Sequence, residues 1–195
     1  MPPRLSNKRL LITGGAGFIG SALIRKVLME TDCTVLNVDK LTYAAVPGAL
    51  DGIKAHPRYR FVQQDICEQD ALKALFSDFQ PDAVMHLAAE SHVDRSIDGA
   101  ADFIQTNVIG TYAMLQAALE YWRGLRPAAR ESFRFQHIST DEVFGPAPAN
   151  EKFDEEEPYR PSSPYAASKA SADHLVMAWH RTYGLPVLLS TCTNN

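Results

Sequence analysis

A chain of 195 residues is long enough for one large domain with a substantial buried core. Its formal net charge of -4, without any block of Lys and Arg, argues against a nucleic-acid partner, because a phosphate backbone attracts a basic face. No apolar stretch approaches the roughly 20 residues that span a bilayer, and the N-terminal MPPRLSNKR lacks the apolar core of a signal peptide. We therefore expect a cytoplasmic protein that binds neither nucleic acid nor membrane.

Short apolar runs alternate with amphipathic segments along the chain, a pattern typical of an α/β protein. Strands are expected at residues 9–13, 34–38, 60–63, 83–87, 133–138 and 186–190. Helices are expected at residues 18–30, 68–79, 102–122 and 165–183. With right-handed crossovers, this order predicts a doubly wound parallel sheet, the Rossmann fold, with helices on both faces.

The spacing of cysteines and histidines predicts no metal site. Cys33, Cys67 and Cys192 form no CxxC pair, and the six histidines include no HExxH. The acidic run at residues 154–157 is expected to be solvated surface, because adjacent carboxylates in a loop repel one another. We expect neither a disulfide framework nor a bound metal.

A glycine-rich turn, GGAGFIG at residues 14–20, follows the first predicted strand. It contains both G-x-G-x-x-G and G-x-x-G-x-x-G, spacings that allow a tight turn and close approach of the backbone to a pyrophosphate. Asp39 ends the second strand roughly 20 residues further on, where a carboxylate bonds a ribose hydroxyl and repels a ribose phosphate. These signals predict a dinucleotide site that prefers NAD, although the adjacent Lys40 leaves NADP open.

Polar residues follow two other apolar runs directly. Glu90 and Ser91 follow the fourth predicted strand, and Thr140, Asp141 and Glu142 follow the fifth. Because ligands of an open parallel sheet bind at the carboxyl ends of its strands, we expect all five side chains in one cleft. This arrangement predicts an active site.

Asp65 and Ile66 follow the third strand and have two equally good interpretations. They border the adenine of the dinucleotide, with the carboxylate accepting from its amino group, or Asp65 only caps the next helix.

Tyr165 and Lys169 are four residues apart near the start of a predicted helix, so they share one face. A nearby ammonium favours tyrosinate, which predicts that Tyr165 is a base near neutral pH. Behind a dinucleotide motif, these are the parts of an alcohol oxidation.

Asp141 and Glu142 add more acid and base than an oxidation needs. Adjacent carboxylates often have separated pKa values, which suits the elimination of water. A ketone at the fourth carbon of a hexose makes the proton on the fifth carbon acidic. Glu142 would take that proton while Asp141 protonates the departing oxygen of the sixth carbon. The alternative is a solvated acidic pair without a catalytic role.

At this point the chain resembles the extended short-chain dehydrogenase/reductases, and within them the dTDP-glucose 4,6-dehydratases. The matching segments are TGGAGFIGSAL, DKLTYA, DIC, HLAAESHVDRSI, TNVIGTY, HISTDEVFG, SPYAASKASADHL and TYGLP. The Asp-Glu pair of STDEV separates dehydratases from the related 4-epimerases, which usually carry apolar or small residues there.

The resemblance implies a redox-neutral dehydration of dTDP-glucose with NAD recycled in place, in the supply of deoxysugars such as rhamnose. It assigns catalysis to Thr140, Asp141, Glu142, Tyr165 and Lys169. The NAD site would comprise Gly14, Gly17, Phe18, Ile19, Gly20, Asp39, Lys40, Leu41, Thr42, Asp65, Ile66, Leu87, Ala88, Ala89, Glu90, Ser91, Thr106, Tyr165, Lys169 and Asn195. The substrate would meet Ser91, Thr140 and Asn194.

The resemblance also implies a homodimer through the two long helices. Family members continue for well over a hundred residues beyond the point where this sequence stops. Residues 1–195 are therefore expected to be the NAD-binding Rossmann domain with the catalytic residues, and the smaller C-terminal substrate domain to be largely absent. Two alternatives stay open: a nucleotide-sugar 4-epimerase or reductase of the same fold, and a catalytically inactive NAD-binding fragment.

Overall fold

The structure, a computed structural model, describes residues 7–146, 153, 154 and 156–193. Within these residues six strands form one sheet: β1 (Arg9–Thr13), β2 (Thr34–Asp39), β3 (Tyr59–Gln63), β4 (Ala83–His86), β5 (Arg134–Thr140) and β6 (Val187–Cys192). All neighbouring strands are parallel, in the order β3-β2-β1-β4-β5-β6. This is the order of a doubly wound Rossmann sheet, so the predicted fold class is confirmed.

The helices of the described residues are α1 (Phe18–Glu30), α2 (Gln69–Phe79), α3 (Val93–Asp98), α4 (Ala100–Phe103), α5 (Thr111–Gly124), α6 (Pro127–Ser132) and α7 (Pro164–Tyr183). Short 3₁₀ turns span Asp51–Ile53 and Asp141–Phe144, and a π-helical turn, Ile104–Gly110, joins α4 to α5. None of these helices is long and apolar enough to cross a membrane.

Both faces of the sheet are packed because successive residues of a strand point to opposite faces. Leu10 and Ile12 of β1 lie in a buried cluster with Ile24 of α1. Leu11, between them, belongs to a larger cluster on the other face with Phe76 of α2. The continuous apolar runs of the sequence are therefore strands covered on both sides.

The sequence-based helix at residues 102–122 is wrong as a single α-helix. Its first half is a π-helical turn, and α3 and α6 were missed because each is only six residues long. At the end of this turn a Cβ on Gly110 would lie 2.6 Å from Cδ1 of Ile66, so the glycine lets the helix approach the loop after β3. The fifth strand also runs further than expected, to Thr140.

The chain order reverses between β1 and β4, the two central strands. Their carboxyl ends diverge toward helices on opposite sides, which opens a crevice at that edge of the sheet. The glycine turn, the loop after β4 and the turn after β5 all end there.

Candidate active site

One cleft of about 550 Å³ lies at the carboxyl ends of the strands. It brings together most of the predicted site residues. Those that line it are Gly14, Gly17, Phe18, Ile19, Gly20, Asp39, Lys40, Thr42, Ile66, Leu87, Ala88, Ala89, Glu90, Ser91, Thr106, Thr140, Glu142, Tyr165 and Lys169. Leu41, Asp65 and Asp141 are not among the lining residues, and Asn194 and Asn195 lie outside the described residues.

The glycine turn is shaped by contacts that no side chain would tolerate. Gly14 has φ +73°, and a Cβ on it would lie 2.6 Å from the backbone nitrogen of Ala88. A Cβ on Gly20 would lie 2.2 Å from the carbonyl oxygen of Gly14. These two glycines let the turn, the start of α1 and the loop after β4 close around one point.

The N-terminus of α1 faces the cleft. Gly17 is the N-cap residue and supplies no side-chain cap, so the first N–H groups of the helix are directed toward the space it borders. A Cβ on Gly17 would meet a single heavy atom within 4 Å, the carbonyl oxygen of Gly14 at 3.4 Å. The cradle thus has the open front and the donors that a pyrophosphate needs.

Asp39 ties the end of β2 to this cradle. Its Oδ2 accepts from the backbone N–H of Ala16 at 2.9 Å, and its Oδ1 accepts from that of Leu41 at 2.8 Å. Both oxygens retain acceptor capacity, since an ionised carboxylate has about four lone-pair positions. The carboxylate therefore lines the cleft in a fixed orientation.

The ammonium of Lys40 is paired with Asp65 and Thr106. It lies 3.4 Å from Oδ2 of Asp65 and donates to Oγ1 of Thr106 at 3.3 Å. Burial acts to raise the pKa of Asp65, but the N–H of Cys67 and the Lys40 ammonium outweigh it and the pKa is lowered. Lys40, the residue next to Asp39 in the sequence, is therefore paired with Asp65.

Two residues that sequence reasoning missed shape the wall made by the loop after β4. Asn107, 1% exposed in the π-helical turn, binds both backbone groups of Glu90 and donates to Oγ of Ser168 at 2.8 Å. Tyr43 donates to Oε2 of Glu90 at 2.7 Å and lies under the guanidinium of Arg95. Nothing in the local sequence singles out Asn107, because its hydrogen-bond partners Glu90 and Ser168 are distant in the chain.

The reactive side chains sit on β5, the 3₁₀ turn and α7. Ser163 caps α7 by accepting from the N–H of Ala166, with Pro164 as the first helical residue. This start fixes Tyr165 and Lys169 one turn apart on the face toward β5, and both are buried. Thr140 ends β5, and its Oγ1 accepts from the N–H of Glu142 at 3.3 Å.

Tyr165 is a weaker acid than the sequence led us to expect. Burial raises its pKa to about 12, against the hydrogen bond with Thr140, and the carboxylates of Glu142 and Asp141 add to the rise. The ammonium of Lys169 donates at 2.6 Å to the carbonyl oxygen of Ile138. In the chain by itself the Lys169 charge does not offset this rise, so the role of Tyr165 as a base near neutral pH stays a prediction.

The two carboxyl groups of the acidic pair differ in their place relative to the cleft. Glu142 lines the cleft, and burial, followed by the charge of Asp141, raises its pKa. Asp141 is not among the lining residues, and its Oδ1 accepts from Oγ1 of Thr140 at 3.4 Å. A carboxylate with a raised pKa binds a proton more strongly, which suits a general base.

The described residues contain no cluster of three or more potential metal ligands, and Cys33, Cys67 and Cys192 are all free thiols.

Sequence comparison identifies relatives along almost the whole chain. Residues 11–195 match the family model described as GDP-mannose 4,6 dehydratase. The dTDP-glucose 4,6-dehydratase of Haemophilus influenzae is 58% identical over 187 residues, which are 95% of this chain and 55% of the relative. That of Neisseria meningitidis serogroup B is 55% identical, over 96% of this chain and 53% of the relative. The chain thus spans about half the length of these relatives.

Solved structures give the same picture. DesIV, a dTDP-glucose 4,6-dehydratase from Streptomyces venezuelae with NAD bound, matches with a TM-score of 0.85 and 44% identity, over 94% of this chain and 55% of that one. A UDP-glucose 4-epimerase from Thermus thermophilus in complex with NAD matches with a TM-score of 0.79 and 28% identity, over 93% of this chain and 53% of that one.

These relatives confirm the predicted resemblance to dTDP-glucose 4,6-dehydratases. Because the family model matches residues 11–195, the chain belongs to the family described as GDP-mannose 4,6 dehydratase.

Proposed function

We propose that the protein is an NAD-dependent dehydratase that converts dTDP-glucose to dTDP-4-keto-6-deoxyglucose and water. One observation carries this proposal: Thr140, Glu142 and Tyr165 line the same cleft as the glycine cradle. Acid and base groups therefore stand beside a dinucleotide site. Curated relatives at 58% and 55% identity carry the same activity in their names.

NAD is the cofactor that the cleft fits best. The N–H groups at the start of α1 would hold its pyrophosphate, and Asp39 would accept from its ribose hydroxyls. A phosphate on that ribose would meet the Asp39 carboxylate, while Lys40 is engaged by Asp65 at 3.4 Å. DesIV, with 44% identity, was solved with NAD bound.

Bound NAD supplies a hydride acceptor and a positive charge. Tyr165 takes the proton of the hydroxyl on the fourth carbon as that carbon is oxidised, and a cationic neighbour is what its raised pKa requires. Glu142 then removes the proton of the fifth carbon. Asp141 would give a proton to the oxygen that leaves the sixth carbon as water, the cofactor would supply the hydride for the sixth carbon, and Glu142 would return its proton to the fifth carbon.

The presence of Asp141 and Glu142 together favours dehydration over epimerisation, which needs no elimination of water. Ser91 and Thr140 line the cleft and would bind the sugar, as would Asn194. We further propose that residues 1–195 are the NAD-binding Rossmann domain, and that a C-terminal substrate domain occupies the part of the relatives that this chain does not span.

We also propose that the protein forms a homodimer through α5 and α7. Tyr112 of α5, Tyr183 of α7 and Ile109 of the π-helical turn before α5 are 37% to 43% exposed. Trp179 packs edge-on against both tyrosines, which makes one continuous apolar surface.

We also propose that the protein is cytoplasmic. Its three free thiols suit that reducing compartment.

The test is mass spectrometry of the nucleotide sugar after incubation of the purified chain with NAD and dTDP-glucose. The proposal expects a sugar lighter by one water. An unchanged sugar would reject turnover by this chain and leave an NAD-binding fragment, or an epimerase, since epimerisation leaves the mass unaltered. Carbon-13 NMR of the recovered sugar separates those two outcomes.

A further inference from the structure

Asp173 is a buried carboxylate that the mechanism above does not use. It lies on α7, four residues after Lys169 and eight after Tyr165, and it is 1% exposed. Its Oδ2 accepts from Oγ of Ser139 at 2.5 Å and from the hydroxyl of Tyr159 at 3.0 Å. Burying an isolated carboxylate costs free energy. The position of Asp173, with two donors and no solvent, therefore calls for an explanation.

The imidazole of His137 lies between the second oxygen of Asp173 and the ammonium of Lys169. Nε2 of His137 lies 3.2 Å from Oδ1 of Asp173 and 3.4 Å from Nζ of Lys169. Among the described residues Oδ1 has no hydrogen bond. Burial, followed by the Lys169 charge, lowers the pKa of His137 well below its usual value, so the ring between the two groups is neutral.

We infer that Asp173 is a positioning residue for Lys169: its fixed buried carboxylate supplies the counter-charge that keeps the buried ammonium charged beside the cleft. The role deepens the proposed function and rests on it, because the charged lysine matters catalytically only if Tyr165 is the base.

The charged and titratable groups around Lys169 support this role of Asp173. Burial lowers the pKa of Lys169 to about 8, and Asp173, followed by Cys192 of β6, acts against that fall. The other titratable groups facing the ammonium are His137 of β5 and His86 of β4, and burial keeps both neutral. Asp173 is therefore the carboxylate on which the charge of this lysine depends.

The polar neighbours of Asp173 act against the effect of its burial. Burial raises the pKa of Asp173, and the bond from Ser139, the charge of Lys169 and the bond from Tyr159 offset only part of that rise. Two hydroxyl donors and the Lys169 ammonium thus act in favour of the charged form, against burial. A carboxylate kept only for packing would not require this set of partners.

The experiment is a pH titration of the ε-carbon of Lys169 by carbon-13 NMR, in the chain without NAD or sugar. Lysine labelled at that carbon is incorporated, and the Lys169 signal is the one absent from Lys169→Met. We expect Asp173→Asn, which keeps the size and both hydrogen-bond positions, to lower the midpoint by about one pH unit or more. Asp173→Glu should restore part of the shift, whereas Tyr159→Phe, which keeps the carboxylate, should leave the midpoint within about half a unit.

An unchanged midpoint in a folded Asp173→Asn protein would overturn the inference. If that variant does not fold, the carboxyl carbon of Asp173 decides in the unaltered protein: an ionised signal at pH 7 supports the inference and a protonated one overturns it. Neither readout uses NAD or turnover, so its failure is distinct from failure of the proposed function. In the active enzyme, Asp173→Asn should also shift the alkaline limb of the pH profile of NAD reduction to lower pH by a similar amount.

Discussion

The two walls of the cleft are built differently. In the first wall, the glycine turn and the end of β2, the backbone and one carboxylate set the geometry of the cleft. In the second wall, around Tyr165 and Lys169, buried charged groups set it. Gly14 and Gly20 permit approaches of 2.6 and 2.2 Å that no Cβ would allow, and Asp39 holds the turn through two backbone N–H groups. Tyr165 and Lys169 instead lie in a buried network whose pKa values depend on several neighbours. Local sequence therefore encodes the first wall, while the second depends on residues distant in the chain.

We expect the largest effect from a change in the second wall, on the rate of NAD reduction. Tyr165→Phe should slow NAD reduction by roughly 10²- to 10⁴-fold, because it removes the base that takes the hydroxyl proton. Its affinity for NAD should change little, since the pyrophosphate and ribose sites lie on the other wall. Single-turnover absorbance of NADH and a fluorescence titration measure the two quantities separately. Equal losses in rate and NAD affinity would show that the walls are not independent.

A smaller effect is expected on the first wall. Asp39→Ala should weaken NAD binding by about 1.5 to 3 kcal/mol, the usual value of hydrogen bonds to a charged group, and NADP binding much less. Loss of the two bonds to Ala16 and Leu41 also loosens the turn, so Asp39→Asn is the matched variant that retains an acceptor. Equal losses for NAD and NADP would contradict the role of the carboxylate in choosing the cofactor.

The smallest effect concerns stability and the buried histidines of the second wall. Burial lowers the pKa of His86 and His137 well below the usual value, so the unfolded chain binds more protons than the folded one as pH falls below about 6.5. Stability is thus complete above that pH and falls by about 1.4 kcal/mol per pH unit for each histidine between pH 6 and 5.

His86→Gln should remove one of these two contributions and so flatten the pH dependence. Urea unfolding at pH 7, 6 and 5 measures it, with exposed His92→Gln as the control that keeps the full slope. Carboxyl groups titrate equally in all three proteins, so the difference isolates His86. An identical slope in His86→Gln would mean that this ring is protonated in the folded state.

Local patterns predicted the first wall and most of the sheet. The segment at residues 14–20 and Asp39 lie within one β-α-β unit, and strand and helix periodicities there are unambiguous. The π-helical turn was not predictable, because its sequence has ordinary helical character. The hydrogen bonds of Asn107 with Glu90 and Ser168 form only in the folded protein. Likewise, the pKa of Tyr165 depends on burial that the spacing of Tyr and Lys does not reveal.

The most direct test of the central claim, that one cleft holds both a redox site and an elimination site, is single-turnover absorbance with Glu142→Gln. With NAD and dTDP-glucose, this variant should accumulate NADH while the sugar keeps its water, because oxidation at the fourth carbon does not need Glu142. Full water loss by the variant would contradict the assignment of Glu142 as the base. Absence of NADH both here and in the unaltered chain would contradict the shared cleft itself.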